Sequence, residues 1–297
     1  MVAVGSESTD SRWVALPTGA LALAGELLGV PVALIGRLAG GETGAFEVRD
    51  EQGRRLVLKG DDRPGSFAAR RDAVYLTTLL AGAGWPVPRQ WIATTDDLKV
   101  VVQELLPGEP VDFVTHPVLD QLLSWHSARR DIAPASEPDG VVSELRRTLV
   151  TGGDGYCDHD ALRGHSDRAG AFVEHIQEVG RRWEPNSRHR DVVHWDLHPG
   201  NVLAVDGRCT AVIDSEFARV GDAGFDLVLL AVTAAEHRMQ PGVADRLWAA
   251  VDAEVTAPDR IAYTAHILLR LTSWCIRNYG GQDLNRWLDE ADRLLPA

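Results

Sequence analysis

The stretch His194-Trp195-Asp196-Leu197-His198-Pro199-Gly200-Asn201 places two imidazoles, two possible oxygen donors and a tight Pro-Gly turn within eight positions. Two chemistries fit such letters. Read as His-x-Asp-x-His, they are metal ligands of a hydrolase. Read as His-x-Asp-x-x-x-x-Asn, they are the loop of a phosphoryl-transfer enzyme. In that case an aspartate orients an attacking hydroxyl and accepts its proton, and an amide oxygen five residues on holds magnesium. The flanks weigh against the first reading. Val192-Val193 precede and Pro199-Gly200 follow, so the segment reads as a strand running into a loop, where histidines four apart share no helix face. A catalytic zinc takes three protein ligands, and the other histidine pair, His159 and His165, has a spacing of six that suits no simple ligand motif. The second reading needs one more carboxylate. The run NVLAVDGRCTAVIDSE supplies strand, Asp-Gly turn and strand, ending on Asp214. A hairpin there would return Asp214 to the side of Asn201.

The elements that must position these groups fall into two textures. From Val32 to Glu104 the chain shows short strands and turn signals. VALIGRL, the glycine-bearing GGETG, AFEV, the turn DEQG and RLVLKG come first, and a second hairpin ends in LKVVVQELL. Between the hairpins, FAARRDAVYLTTLL reads as a helix with Ser66 as its N-cap. After Pro107-Gly108-Glu109-Pro110 the texture turns helical, in VLDQLLSWHSARR, VVSELRRTLV, AGAFVEHIQEVGRRW and from Phe225 to Leu295, with TGGDGYCDHD as a polar loop. The expectation is an α+β chain of two lobes. It has a loose tail over 1–12, a small β-rich lobe with one main helix over 13–106, and a larger, mostly helical lobe over 107–297.

Composition narrows the function classes. The chain has 297 residues and a net charge of -13, which disfavours nucleic acid as a partner and suits a cationic small ligand. Three widely spaced cysteines, Cys157, Cys209 and Cys275, form no CxxC pair and read as reduced thiols. The first residues lack the pattern of a signal peptide, and the apolar runs are too short to span a bilayer. A cytoplasmic protein with no membrane partner is expected. Among its 30 basic residues only two are lysines, Lys59 and Lys99. A lysine kept in such a chain raises the question of whether a compact ammonium is wanted there.

HWDLHPGN, followed by VIDSE and GDAGFDL, resembles the aminoglycoside phosphotransferase and choline kinase-like family, which has the protein-kinase fold. Family members commonly carry glycine where Trp195 stands, and proline and its neighbour where Ala223-Gly224 stand. The resemblance implies that Asp196 is the catalytic base, that Asn201 and Asp214 hold Mg2+, and that His194 and Asp226 brace the loop. It implies that Lys59 contacts the nucleotide phosphates. The glutamate that anchors that lysine in the family is here Asp72, one methylene shorter. Gly41 and Gly44 become candidates for backbone contacts to phosphate, and Glu104 and Leu106 for backbone contacts to the purine. Trp125-His126 resembles a Leu-His pair of a family helix, with a structural role.

On the substrate side, Glu216, Asp154 and Asp158 are candidate partners for ammonium groups, and Trp274 for stacking on a ligand ring or cation. Each also has a plainer reading, as a solvated loop acid or a core aromatic. The resulting expectation is an ATP- or GTP-dependent, Mg2+-dependent O-phosphotransferase for a small, cationic hydroxyl compound, with an antibiotic favoured. A metabolic kinase for an amino alcohol or sugar is the alternative. A kinase-fold binding protein without turnover is the rival class, and retention of Asp196, Asn201, Asp214 and Lys59 argues against it.

Overall fold

In a computed structural model of the chain, residues 15–38, 44–61, 67–153, 156–186 and 189–296 are described, without the side chains of 67–71 and 235. The expected tail over 1–12, Ser66, Gly41 and Asp154 lie outside the described residues. The chain divides into two compact units, Met1–Thr77 with Pro88–Leu106, and Thr78–Val87 with Pro107–Ala297. The end of the first unit's main helix and the turn after it thus belong with the second unit.

The first unit holds helix α1 (Ala20–Leu28), strands β1 (Val32–Leu38), β2 (Ala45–Asp50) and β3 (Arg55–Asp61), most of helix α2 (Phe67–Gly82), and strands β4 (Gln90–Thr94) and β5 (Lys99–Glu104). The strands form one antiparallel sheet in the order β1-β2-β3-β5-β4. Alternation places Val48, Leu56, Leu58, Val100 and Val102 in one core cluster with Ala20 and Ala24 of α1. Helix α1 is short, and the residues it buries fully are two alanines, with Leu21, Leu23, Leu27 and Leu28 partly buried against the same cluster. The β2–β3 turn closes on Asp50, whose Oδ1 accepts from the N–H groups of Gln52 and Arg54, while Gly53 takes φ 82°. Only a residue tolerant of the left-handed region fits there.

On the other sheet face, residues of β3 and β5 bury charge. Lys59 is 7% exposed and Lys99 fully buried. Lys99 lies directly across from Asp61 in the β3–β5 register, with Nζ 3.7 Å from its carboxylate. The second lysine is therefore half of a buried ion pair.

The second unit carries β6 (Glu109–Pro110), β7 (Phe113–Val114), α3 (His116–Ala128), α4 (Gly140–Thr151), α5 (His159–His165), α6 (Asp167–Arg182), β8 (Asp191–Val193), β9 (Val202–Val205), β10 (Arg208–Val212), β11 (Arg219–Gly221), α7 (Gly224–Thr233), β12 (Arg238–Met239), α8 (Val243–Glu254), α9 (Ala257–Tyr279) and α10 (Leu284–Leu294). Two details differ from the pattern reading. The His159–His165 segment is a helix, with Asp158 as its N-cap. The stretch after Phe225 is interrupted by β12, which pairs in parallel with β7. The second unit's core includes Val192, Val193, Phe225, Val228, Ile267, Leu268 and Leu269, each at most 1% exposed. No described helix is long and apolar enough to cross a membrane. The three cysteines are buried and unpaired, and burial pushes their thiols up, Cys157 to about 12. Thiols so raised are inert as nucleophiles.

Candidate active site

The 194–201 loop leaves β8 and ends in a short 3-10 turn, Pro199–Asn201, that leads straight into β9. Strands β9 and β10 form the expected hairpin. Val205 pairs with Arg208 and Val202 with Val212. Its Asp206-Gly207 turn has φ 48° and 74°, the left-handed pair that a two-residue hairpin loop requires. The return strand delivers Ile213 to Asn201, where the Ile213 N–H donates to the Asn201 carbonyl at 2.9 Å. Asp214 is the next residue, half-buried and at φ 63°. Asn201 is buried and donates through Nδ2 to the Asp196 carbonyl at 2.8 Å. That bond turns its amide oxygen away from Asp196. Asp196, Asn201 and Asp214 are thereby brought together through short backbone and side-chain links.

His194 is fully buried, and burial pushes its imidazole below the ordinary range despite the nearby Asp226 and Asp196. The neutral ring needs one donor and one acceptor role. Nε2 donates to the Ile213 carbonyl at 2.9 Å, and Nδ1 accepts from the Asp196 N–H at 3.3 Å. One ring thus ties the residue before Asp214 to Asp196 itself. Asp226 at the start of α7 is fully buried and accepts from the N–H groups of His194 (2.7 Å) and Trp195 (2.9 Å). It also accepts from Arg129 Nη1 at 2.5 Å. His198 turns back on its own loop, with Nδ1 accepting from the Gly200 N–H.

The Asp196 side chain is about a third exposed (32%). Burial alone would raise its carboxyl, but Arg270, His198 and His194 outweigh that and hold it below the ordinary aspartate value. It is ionised at neutral pH, the state a proton acceptor needs.

The remaining sequence-selected residues are distributed as follows. Glu216 is buried in the 3-10 turn Ser215–Phe217 directly after Asp214. Asp158 accepts from the Ala161 N–H at 2.9 Å as the α5 cap. Trp274 is half-buried and meets Tyr279 edge-on at 4.7 Å. In the first unit, Lys59 is buried while Asp72 is exposed on α2. Gly44 takes φ 73° before β2. Glu104 is bound twice to Arg89, its N–H to the Arg89 carbonyl and its carboxylate to the Arg89 N–H, and Leu106 is half-buried beyond it. His126 is buried between Glu254 and Arg129. Asp131, His189 and Asp191 also converge, but both Asp191 oxygens accept backbone N–H groups, from Asp131 and Ala223. Asp191 thereby ties the chain after α3 to the start of α7.

The profile of the phosphotransferase enzyme family matches residues 35–263. The chain belongs to this family. An aligned stretch of 130 residues is 34% identical to streptomycin 6-kinase of Streptomyces glaucescens, covering 36% of this chain and 40% of that enzyme. The chain thus matches less than half the length of that curated relative. Among solved structures it is similar to a thermostable mutant of aminoglycoside phosphotransferase APH(4)-Ia in ternary complex with ADP and hygromycin B. The TM-score is 0.65 at 18% identity, over 93% of this chain and 98% of that one. It is also similar to spectinomycin phosphotransferase APH(9)-Ia in complex with ADP and spectinomycin, with a TM-score of 0.59 at 12% identity over 93% and 94%. These likenesses are likenesses of fold, and the fold of this phosphotransferase-family chain is α+β and protein-kinase-like.

Three residues of this family member outside the expected site set shape the loop, and one of them, Trp195, already stands out in the sequence as a departure from the family's glycine. Trp195 holds φ 74°, a left-handed conformation natural to glycine and costly for a bulky residue. Its ring is 4% exposed and stacks on Phe225 at 4.3 Å and 9°. The Arg219 guanidinium lies 3.8 Å from the same ring centroid, so the two neighbours cover opposite faces. Packing therefore compensates the strain. Trp195→Gly should relieve about 1–2 kcal/mol of backbone strain but remove about 3–5 kcal/mol of packing. The expected net loss is about 1–4 kcal/mol in urea unfolding. A variant as stable as the wild type would refute this account of the tryptophan.

Arg219 stays a cation at neutral pH, although burial brings it down to about 10. Arg270 on α9 is the third residue. It is the one charged side chain in the run ILLRLTSW, which is the signal by which it could have been noticed.

Proposed function

We propose that this chain is a Mg2+-dependent kinase that moves the γ-phosphate of ATP or GTP to a hydroxyl of a small cationic antibiotic. The observation that carries the reading is the linked triad of Asp196, Asn201 and Asp214, joined by the Asn201–Asp196 and Ile213–Asn201 hydrogen bonds. Asp196 takes the proton of the acceptor hydroxyl as that oxygen attacks the γ-phosphorus and the bond to the β-phosphate oxygen breaks, releasing the nucleoside diphosphate. The Asn201 amide oxygen and the Asp214 carboxylate are hard oxygen donors of the kind magnesium takes. When bound, the ion neutralises charge on the phosphates. Lys59 supplies a further cation for the phosphates, and the backbone at Glu104 and Leu106 is proposed for the purine.

The antibiotic assignment rests on the match to streptomycin 6-kinase and on the net charge of -13. The Arg270 guanidinium bound to Asp196 adds a condition, because like charges repel in a half-buried site. The ammonium or guanidinium groups of the acceptor must lie away from the reacting hydroxyl, towards carboxylates such as Glu216. A reaction that consumes a nucleoside triphosphate places the activity in the cytoplasm.

The test offers ATP and GTP, with and without Mg2+, to streptomycin, hygromycin B, spectinomycin, choline and a set of sugars. Product mass is the readout. Gain of one phosphoryl group on an aminocyclitol antibiotic, lost with EDTA, is the expected result. Transfer only to choline or a sugar would replace the antibiotic with a metabolite. Absence of nucleotide binding in the presence of Mg2+ would end the kinase reading.

A further inference from the structure

Arg270 reaches the 194–201 loop from α9 and grips it at two points. Nη1 donates to the Trp195 carbonyl at 2.8 Å, and Nη2 donates to Asp196 Oδ1 at 3.0 Å. The neighbouring α9 residues Ile267, Leu268, Leu269 and Thr272 are at most 1% exposed, so the helix that carries the guanidinium is fixed in the core. A planar fork held at two atoms has little freedom left. The other carboxylate oxygen, Oδ2, is 3.4 Å from Asn201 Nδ2 and 4.0 Å from His198 Nε2. The two oxygens of one carboxylate therefore have different surroundings.

We propose that Arg270 is a positioning residue for phosphoryl transfer: it holds Asp196 Oδ1, and so fixes Oδ2 as the oxygen that receives the acceptor's proton. This rests on the kinase reading above. In the step, the acceptor O–H bond breaks towards Oδ2 while its oxygen bonds to the γ-phosphorus of the nucleoside triphosphate and the diphosphate leaves. An aspartate side chain turns about two bonds, and a carboxylate a third exposed would otherwise sample several rotamers. A misplacement of about 1 Å at such a group can cost about 100-fold in rate. Arg270 removes that freedom through Oδ1 without occupying Oδ2. The Trp195 carbonyl that holds its other tine belongs to the left-handed residue of the loop, and Asp226 holds that residue's N–H. The strained peptide thus aims a carbonyl at Arg270 as well as leading into Asp196.

The experiment compares wild type, Arg270→Ala, Arg270→Lys and Asp196→Asn with ATP–Mg2+. Streptomycin is the acceptor in one assay and water in the other, read as ADP release, and unfolding midpoints are measured alongside. For Arg270→Ala the expected result is a kcat about 10- to 100-fold lower, with the KM for ATP within about twofold. Arg270→Lys should recover part of the rate, since one ammonium cannot hold both partners. Guanidinium at a non-denaturing concentration should raise the rate of Arg270→Ala and leave wild type unmoved. An Arg270→Ala enzyme at the wild-type rate, beside an inactive Asp196→Asn, overturns the proposal and leaves the kinase reading standing. A loss carried in the KM for ATP would assign the guanidinium to the nucleotide, and a rate that only follows loss of folded protein, without guanidinium rescue, would make it structural. Either outcome overturns the proposal. A wild type that neither transfers nor hydrolyses removes the kinase reading first, and this inference with it.

Discussion

Asp196→Asn should lower kcat by about 100- to 10,000-fold, the range expected when a positioned proton acceptor is removed, while changing stability by no more than about 1 kcal/mol. The two expectations have one structural source. Asparagine has the same shape and keeps an oxygen for Arg270 Nη2, so the loop retains its grip. The ion pair that is lost is partly exposed, at 21% for Arg270 and 32% for Asp196. Exposed pairs of that kind contribute little to folding, because solvent screens them. The carboxamide, however, cannot take up a proton from the hydroxyl in the transition state. Steady-state transfer to streptomycin, nucleotide affinity by fluorescence titration and urea unfolding separate the three quantities. Unchanged nucleotide affinity with lost turnover supports the role. Wild-type turnover in this variant would remove Asp196 from the chemistry.

The triad was legible in the sequence because local geometry joins it. Asp196 and Asn201 share one loop, and a hairpin with an Asp-Gly turn returns the chain past Asn201, although the register shift between Cys209 and Ala211 that sets Ile213 against Asn201 has no signal in the letters. The loop's supports were not legible in the same way. Arg270 is 74 positions from Asp196, and Arg129 is 97 from Asp226. No periodicity or turn chemistry links residues so far apart. Arg129 has Arg130 as its immediate neighbour, and nothing in the letters tells the buried one from the exposed one.

The lysines show a different limit. Their rarity marks both Lys59 and Lys99, but rarity does not tell a buried lysine at the start of a strand, paired with Asp61, from one proposed for a phosphate. Helix α5 has its cap in plain sight, but Asp158, three residues before Ala161, also fits a substrate acid, and an aspartate near glycines reads equally as loop. In each case the missing information was burial, which depends on partners from distant segments.

The larger effect on folding should come from Asp226→Asn, at about 3–5 kcal/mol. The cost follows from counting donors. Asp226 Oδ1 accepts from the Trp195 N–H, and Oδ2 accepts from both the His194 N–H and Arg129 Nη1. Either orientation of a carboxamide turns an –NH2 group towards a donor. At the Oδ2 position it would face two, one of them a cation. Arg129 is fully buried and keeps only partial compensation, from the Val192 and Ala223 carbonyls at 3.3 and 3.4 Å, His126 Nδ1 at 2.9 Å and the Trp85 ring at 4.6 Å. An uncompensated charge in that position is what makes breaking a buried pair costly. Adding Arg129→Met to Asp226→Asn should therefore recover part of the lost stability, because the stranded guanidinium goes with it. Turnover should stay low in the double variant, since Asp226 also fixes the peptide that precedes Asp196. Urea midpoints of the two single variants and the double variant test the first point, and transfer rates on folded protein test the second. If the double variant is no more stable than Asp226→Asn, the cost lies in the two loop N–H groups, and the buried charge contributes little.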